Sequence, residues 1–371
     1  FTMKILMNDT NVGSKGAKLA NATTTDFDAI VVGAGVAGLY QLYLLRKMGL
    51  KVRSFEAGSA VGGTWYWNRY PGARVDSQSY IYQYWFSDEI LEEWDWGERF
   101  PPQSEIERYL NFVADKCDLR KDIQFNTVVT SADYDETANR WIVKTNDGES
   151  LSTQFFISCT GMVSAPMTPP FPGHEKYKGQ ITHTARWPAQ GMALAGKRVG
   201  VIGTGATGMQ VIQTIADQVG HLTVFQRTAQ YAIPMRNPSY DDADRAAYRA
   251  RYPEFKTKVR TTFGGFDHDF DERAYRDLSA TERLEVLENI WADGALTFWH
   301  GGFRELFFDE DINEEISEFV RDKIRARVNN PKVAEKLVPK THGFGLHRVP
   351  LETNYFEVYN RDNVELIDVS N

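Results

Sequence analysis

The stretch FDAIVVGAGVAG, residues 27–38, decides the fold. It begins with a short, mainly apolar and β-branched run that ends at Gly33, which is typical of a buried parallel strand. Residues 37–48 after the glycines have the character of a helix, and residues 51–55 are predicted to form a second strand. Strand, glycine turn, helix and strand in this order predict a βαβ unit.

The turn itself has the spacing GxGxxG, formed by Gly33, Gly35 and Gly38. The first glycine permits a tight turn, the second lets the backbone approach a pyrophosphate, and the third lets the helix pack on the strand. Glu56 lies 23 residues after Gly33, where an acidic side chain can accept hydrogen bonds from the ribose hydroxyls of an adenosine. Glycine spacing alone is weak evidence, but with strand, helix and acid it predicts a dinucleotide site.

The same pattern recurs further along the chain. Strands are predicted at 197–202 and 221–225, with a helix at 207–218 between them. The glycines of this second copy are Gly203, Gly205 and Gly208. A second dinucleotide site is therefore expected.

The residue at the ribose position differs between the two copies. Arg227 lies 24 residues after Gly203, where the first copy has an acid. An arginine there suits a 2′-phosphate through charge-assisted hydrogen bonds, whereas a carboxylate would repel it. The sequence thus predicts FAD at the first site and NADPH at the second, although an ordinary exposed arginine remains an alternative for Arg227.

These patterns predict an α/β protein with two Rossmann-like dinucleotide-binding domains and a helical insertion in the second. A proline-rich stretch separates the domains, and residues 124–160 alternate like antiparallel strands. The predicted boundaries are 1–25 for a flexible tail, 26–165 for the FAD-binding domain, 166–188 for the linker, 189–236 with 341–371 for the NADPH-binding domain, and 237–340 for the helical insertion.

Composition excludes several classes of function. A formal net charge of −8 without a basic cluster argues against nucleic acid and against an anionic membrane surface. The two cysteines form no CxxC pair, so we expect two buried, reduced thiols and no dithiol centre. The seven histidines show no metal-ligand spacing, so no metal site is expected. No apolar run is long enough to span a bilayer, which favours a cytoplasmic protein.

Two further segments resemble a known family. Residues 62–76, GGTWYWNRYPGARVD, match the pattern [AG]GxWxxxx[FY]P[GM]xxxD of Baeyer–Villiger monooxygenases at every fixed position. Residues 177–188, YKGQITHTARWP, resemble the family's FxGxxxHxxxWP pattern, with Tyr177 in place of phenylalanine. The other matching positions of this second pattern are Gly179, His183, Trp187 and Pro188. The chain therefore resembles class B flavoprotein monooxygenases of the cyclohexanone and phenylacetone monooxygenase type.

The resemblance implies an activity and a set of site residues. Such enzymes use FAD, NADPH and O2 to convert ketones to esters or lactones through a C4a-peroxyflavin. The family's active-site arginine corresponds to Arg348, which would stabilise negative charge in the reaction, and Asp76 would hold that arginine. Further contacts are implied for Gly63, Thr64, Trp65 and Asp76 on the FAD side, and for Thr207, Thr228 and His347 on the NADPH side. His183 and Trp187 would couple the domains, or simply pack in the linker.

Other interpretations remain open. A flavin-containing monooxygenase that oxygenates nitrogen or sulfur shares both glycine turns, and a truncated, inactive flavin-binding scaffold would share them too. A reductase of the disulfide class is disfavoured because CxxC is missing.

The family's fold needs more chain after residue 369, so we expect the sequence to be partial. Abundant aromatic residues favour an apolar ketone substrate but do not select one, and the aromatic residues between 65 and 96 suit either a pocket or a core.

Overall fold

The computed structural model describes residues 24–167 and 169–370, so nearly all of the predicted tail, 1–25, lies outside the described residues. Its larger sheet has six strands in the order β3-β2-β1-β6-β5-β4. Strands β1, β2, β3 and β6 are parallel, whereas β4, β5 and β6 form an antiparallel meander. The strands are β1 Phe27–Val32, β2 Val52–Phe55, β3 Ile123–Gln124, β4 Val129–Asp135, β5 Arg140–Thr145 and β6 Ser150–Ser158.

Strand β1 is buried on both faces, which explains its nearly continuous apolar sequence. Successive side chains of a strand point to opposite faces. Ala29 and Val31 accordingly pack with helices α1 (Val36–Lys47) and α4 (Gln103–Lys116), whereas Ile30 packs with the core under the meander. The glycine turn after β1 is therefore held by a rigid strand.

The second sheet contains three parallel strands in the order β11-β8-β7. These strands are β7 Arg198–Ile202, β8 His221–Gln226 and β11 Val364–Asp368. Helix α5, Ala206–Ile215, connects β7 to β8 and ends before the predicted limit of 218. A separate parallel pair joins β9, Ile233–Pro234, to β10, Leu351–Glu352. No sequence pattern indicated this pair.

Between β9 and β10 the chain is helical. The helices are α6 Asp242–Ala250, α7 Tyr252–Thr261, α8 Ala280–Asp293, α9 Thr297–His300, α10 Glu310–Arg325 and α11 Pro331–Leu337. Capping fixes several of their starts, since the Asp241 and Ser279 side chains each accept from the third residue of the following helix. Phe298 and Ile316 of this segment share one core with Val224 of β8, so α9 and α10 pack on the second sheet. Tyr248 of α6 and Phe255 of α7 instead stack on Tyr80 of the aromatic segment.

The aromatic segment 65–96, with short helices α2 (Thr64–Trp67) and α3 (Asp88–Glu93), forms mainly core. Trp96 is fully buried and donates from Nε1 to Gln83 Oε1 at 3.0 Å. Of the two alternatives for these rings, packing accounts for most of them.

Cys117 and Cys159 are both free thiols and both half-buried, so the prediction that they are buried is wrong. Cys117 follows α4 and Cys159 follows β6, at element ends where part of the side chain reaches solvent. Within the described ranges, no helix is long and apolar enough to cross a membrane, and no group of three potential ligands could hold a metal ion.

Candidate functional site

The first glycine turn packs tightly against neighbouring backbone, which leaves no space for side chains at its glycines. Gly33 has φ +103°, and a Cβ added there would lie 2.6 Å from the carbonyl oxygen of Cys159. A Cβ at Gly38 would overlap the carbonyl of Gly33, and one at Gly63 would lie 2.8 Å from Gly35 Cα. Helix α1 starts at this turn without a side-chain cap, so its first N–H groups are available to phosphate oxygens.

Glu56 is buried at the end of β2, next to the same turn. Its carboxylate accepts hydrogen bonds from the backbone N–H of Ala34 at 2.8 Å and of Gly58 at 2.7 Å. These two bonds fix the carboxylate against the glycine turn. Each carboxylate oxygen retains accepting capacity, which suits a pair of ribose hydroxyls.

The second glycine turn faces open space. Gly203 has φ +101°, and a Cβ added at Gly203 or Gly205 would meet no atom of the described residues within 4 Å. A Cβ at Gly208 would overlap the carbonyl of Gly203, so this glycine packs the helix on the turn. The Thr204 hydroxyl donates to the carbonyl of Thr228 at 3.0 Å and ties the turn to the end of β8. Helix α5, like α1, begins without a side-chain cap.

Arg227 is exposed at the end of β8 and forms no ion pair within residues 24–167 and 169–370. Gln226 donates from Nε2 to the carbonyl of Lys336 at 2.6 Å, which brings a second cationic residue, in the last turn of α11, to this edge. Sequence reasoning missed Lys336 because it lies 109 residues beyond Arg227.

His347 stacks on His342 with 4.1 Å between ring centroids, and burial lowers the pKa of His342.

Arg348 and Asp76 are brought together from opposite parts of the chain. Arg348 Nη2 lies 2.6 Å from Asp76 Oδ2. The Asp76 side chain is 17% exposed and the Arg348 side chain 67%, so most of the guanidinium side chain remains open to a ligand. The nearby carboxylate raises the pKa of Arg348, which stays cationic.

The segment 62–76 is fastened to helix α5. Tyr70 Oη donates to Gln210 Oε1 at 2.8 Å, and Gln210 Nε2 donates to the carbonyl of Arg74 at 3.1 Å. Gly72 has φ +81°, and a Cβ there would lie 2.5 Å from the carbonyl oxygen of Gln210. Tyr70 and Gly72 of this motif therefore form a contact between the two units. Sequence reasoning missed Gln210, which carries no motif of its own.

Thr64 and Trp65 point in different directions. Thr64 is exposed at the start of α2, next to Gly63 of the first turn. Trp65 is 8% exposed, and its Nε1 donates to Tyr82 Oη at 3.0 Å. The pKa of Tyr82 is raised, mainly by burial and slightly by the charge of Asp76. Trp65 therefore packs in the core and supports Tyr82, and Thr64 is the better placed of the two for a ligand.

The linker motif has mainly local contacts. The Tyr177 ring lies over Gly179, where an added Cβ would come within 2.6 Å of the ring. His183 Nδ1 accepts from the backbone N–H of Ala185 at 3.1 Å and so caps a short turn. Trp187 and Pro188 are half-buried. Contact with the segment 62–76 is made by Arg186, whose guanidinium lies 5.0 Å from the centre of the Trp67 ring.

Comparison with known proteins identifies the family of the chain. Residues 28–237 match the family described as flavin-binding monooxygenase-like. The chain is 54% identical, over 345 residues, to an acetone monooxygenase (methyl acetate-forming) from Gordonia sp. strain TY-5, with 93% of this chain and 64% of the relative covered. It is 43% identical over 352 residues to a cyclopentanone 1,2-monooxygenase from a Comamonas species, with 94% and 64% covered.

A solved complex of OTEMO with FAD and NADP superposes with a TM-score of 0.91 at 44% identity, covering 94% of this chain and 66% of that chain. The chain thus spans a little under two thirds of the length of these relatives. The match with the family extends over more than half of the chain and includes both glycine turns. The chain therefore belongs to the flavin-binding monooxygenase-like family, as the resemblance of its motifs to Baeyer–Villiger monooxygenases predicted.

Proposed function

We propose that the whole protein is a Baeyer–Villiger monooxygenase that uses FAD, NADPH and O2 to convert a ketone to an ester or lactone. The observation that carries this proposal is the ion pair between Arg348 and Asp76, 2.6 Å long and largely open on the arginine side. It lies beside Tyr70, which contacts helix α5 of the second glycine turn. An arginine held in this way supplies a fixed positive charge between two nucleotide sites.

The residues present fit both cofactors. The first turn offers uncapped helix N–H groups and the fixed Glu56 carboxylate, which suit the pyrophosphate and ribose of FAD. The second offers an uncapped helix, open space over Gly203 and Gly205, and the exposed cation of Arg227, which suit NADPH. On this basis residues 26–165 would form the FAD-binding domain, and residues 189–236 with 341–371 the NADPH-binding domain. Residues 237–340 would be a helical insertion in the latter.

The bound flavin, once reduced by NADPH, would supply the chemistry with O2. The guanidinium of Arg348 would stabilise the negative charge that develops on the ketone oxygen as the carbonyl is attacked. Asp76 would keep the guanidinium in one orientation, so that its positive charge stays close to the ketone oxygen. Tyr82, which accepts from Trp65 Nε1 and whose pKa responds to the charges of both Asp76 and Arg348, would support the surroundings of the pair.

The substrate class follows from similarity. The relative named acetone monooxygenase (methyl acetate-forming) acts on a small linear ketone, and the one named cyclopentanone 1,2-monooxygenase on a small ring. We propose a small apolar ketone as substrate and acetone as the first to test. A cytoplasmic location is the matching expectation for a small-molecule oxidoreductase that draws on NADPH.

The test uses the full-length protein, purified in the presence of added FAD and then supplied with NADPH and ¹⁸O2. Acetone, cyclopentanone, cyclohexanone and an aryl ketone are offered together with an amine and a thioether, and products are identified by mass spectrometry. We expect an ester or lactone that carries one heavy oxygen atom. Label only in an N-oxide or sulfoxide would assign the protein to heteroatom oxygenation instead. A colourless protein that neither binds FAD nor oxidises NADPH would indicate an inactive scaffold.

A further inference from the structure

Tyr70 stands between the second glycine turn and the Arg348–Asp76 pair. Its hydroxyl donates to Gln210 on helix α5, and it also faces Thr207 in the first turn of that helix. The charges of Asp76 and Arg348 have opposite effects on the pKa of the phenol. The hydroxyl is bonded to α5 directly, and it is connected to the segment that carries Asp76 through Gln210 and the carbonyl of Arg74.

Gln210 completes this connection. Its side chain is buried, its Oε1 accepts from Tyr70, and its Nε2 donates to the carbonyl of Arg74, two residues before Asp76. Both ends of a single amide thus hold the segment that carries Asp76. Buried polar groups that lose a partner are costly, so the amide and the phenol constrain each other's position.

The tyrosine hydroxyl is a particular feature of this chain rather than a requirement of the motif. The family pattern accepts phenylalanine or tyrosine at position 70, so a ring alone satisfies it. The backbone contact between Gly72 and α5 also holds the segment without the hydroxyl. Burial raises the pKa of Tyr70, so the phenol remains a neutral donor throughout the working pH range.

We propose that Tyr70 and Gln210 are positioning residues that align the Arg348–Asp76 pair with helix α5, so that nucleotide binding at the second site and correct placement of the pair depend on each other. This inference rests on the proposed function. Neither residue touches a reacting atom. They affect two quantities. One is the affinity for NADP⁺ while Arg348 is in place, and the other is the fraction of oxidised NADPH that leads to ester.

The test compares two phenylalanine variants in the full-length, FAD-loaded protein. Tyr70→Phe removes the connecting hydroxyl. Tyr66→Phe removes a hydroxyl of the same segment that bonds only Ser59 within the first unit, with Oη 2.8 Å from Ser59 Oγ. A net hydrogen bond contributes about 0.5–1.5 kcal/mol. We therefore expect Tyr70→Phe to bind NADP⁺ about 2- to 10-fold more weakly in a direct titration and to release more H2O2 per NADPH, whereas Tyr66→Phe matches the parent protein.

A double-mutant cycle separates positioning from general loosening. Gln210→Leu should weaken NADP⁺ binding to a similar extent, and the double variant with Tyr70→Phe should be little worse than either single variant. Unchanged NADP⁺ affinity and ester yield in Tyr70→Phe, or effects that simply add in the double variant, would overturn the inference even if the melting temperature fell. A parent protein that binds no NADP⁺ would instead refute the proposed function.

Discussion

Arg348 has an unusual position for an arginine that joins two parts of a fold. Its ion pair with Asp76 is short, yet two thirds of its side chain is exposed. Exposed ion pairs of this kind typically contribute less than about 1 kcal/mol to stability. The exposed cation therefore adds little to folding and is accessible for the role that we propose for it.

The first prediction concerns this residue. Arg348→Ala should still oxidise NADPH but should form ester at least about 10²-fold more slowly, the effect typical of removing one fixed donor from developing negative charge. Ester is measured by gas chromatography and NADPH by absorbance. Arg361→Ala, which removes an exposed arginine bonded to Asn363, is the matched control and should behave as the parent protein. Normal ester formation by Arg348→Ala would contradict the assigned role.

The second prediction concerns the choice of nucleotide. Arg227→Ala should raise the KM for NADPH by about 10- to 100-fold and leave the KM for NADH nearly unchanged, because a charge-assisted hydrogen bond contributes about 1.5–3 kcal/mol. Arg198→Ala, at the opposite end of the same sheet, is the control. Equal losses with both nucleotides would mean that Arg227 does not contact the 2′-phosphate.

At the scale of elements, the segment 62–76 is held to helix α5 mainly by close backbone approach. Gly72 and Gly148 both have positive φ, +81° and +95° respectively, but only Gly72 has neighbours within 4 Å of an added Cβ. Gly148 lies in the turn between β5 and β6. A substitution at Gly148 therefore tests backbone strain alone, whereas a substitution at Gly72 tests backbone strain together with steric overlap.

Our third prediction uses this pair. Gly148→Ala should lower the free energy of unfolding by about 1–2 kcal/mol, the cost of a left-handed conformation with a Cβ. Gly72→Ala should lower it by about 2–5 kcal/mol, because overpacking adds roughly 1–3 kcal/mol. Urea unfolding followed by tryptophan fluorescence measures both. Equal losses would show that the segment and α5 are not in close contact.

Sequence patterns predicted the local units well and the contacts between them poorly. Strands β1 and β7, helix α1 and both glycine turns lie within a few residues of their predicted places, because their periodicity is local. Strands β9 and β10 are two residues long and more than a hundred residues apart in the chain, which leaves no pattern to detect. Gln210 and Lys336 were missed for the same reason, since their partners are distant in sequence.

At the scale of the whole molecule, helices α8–α11 and the second sheet share one core, so a loss of stability in these helices also destabilises the sheet that carries the second glycine turn. His300, at the end of α9, belongs to the edge of this core. It stacks on Trp299 and Phe266, with 4.3 and 5.5 Å between ring centroids, and its Nδ1 is buried without a hydrogen-bond partner in the part of the chain that the structure describes. Protonation of this ring should therefore lower the stability of the entire core.

The fourth prediction is a loss of stability in mild acid. Burial, and to a smaller extent the charge of His268, lowers the pKa of His300 from 6.5 to about 4. Between these two values the unfolded chain binds a proton that the folded chain excludes, so the free energy of unfolding falls as pH decreases from 6.5 towards 4. Its contribution is complete above pH 6.5, and the loss amounts to about 1–3 kcal/mol for a shift of this size.

Replacing the ring isolates this contribution. His300→Phe keeps an aromatic ring in the stack with Trp299 and Phe266 but cannot be protonated, so its free energy of unfolding should fall less steeply between pH 6.5 and 4.5. His174→Phe, at an exposed histidine, should keep the slope of the parent protein. Urea unfolding at several pH values measures all three proteins. A parent-like slope in His300→Phe would mean that carboxylates, and not this histidine, set the acid stability of the core.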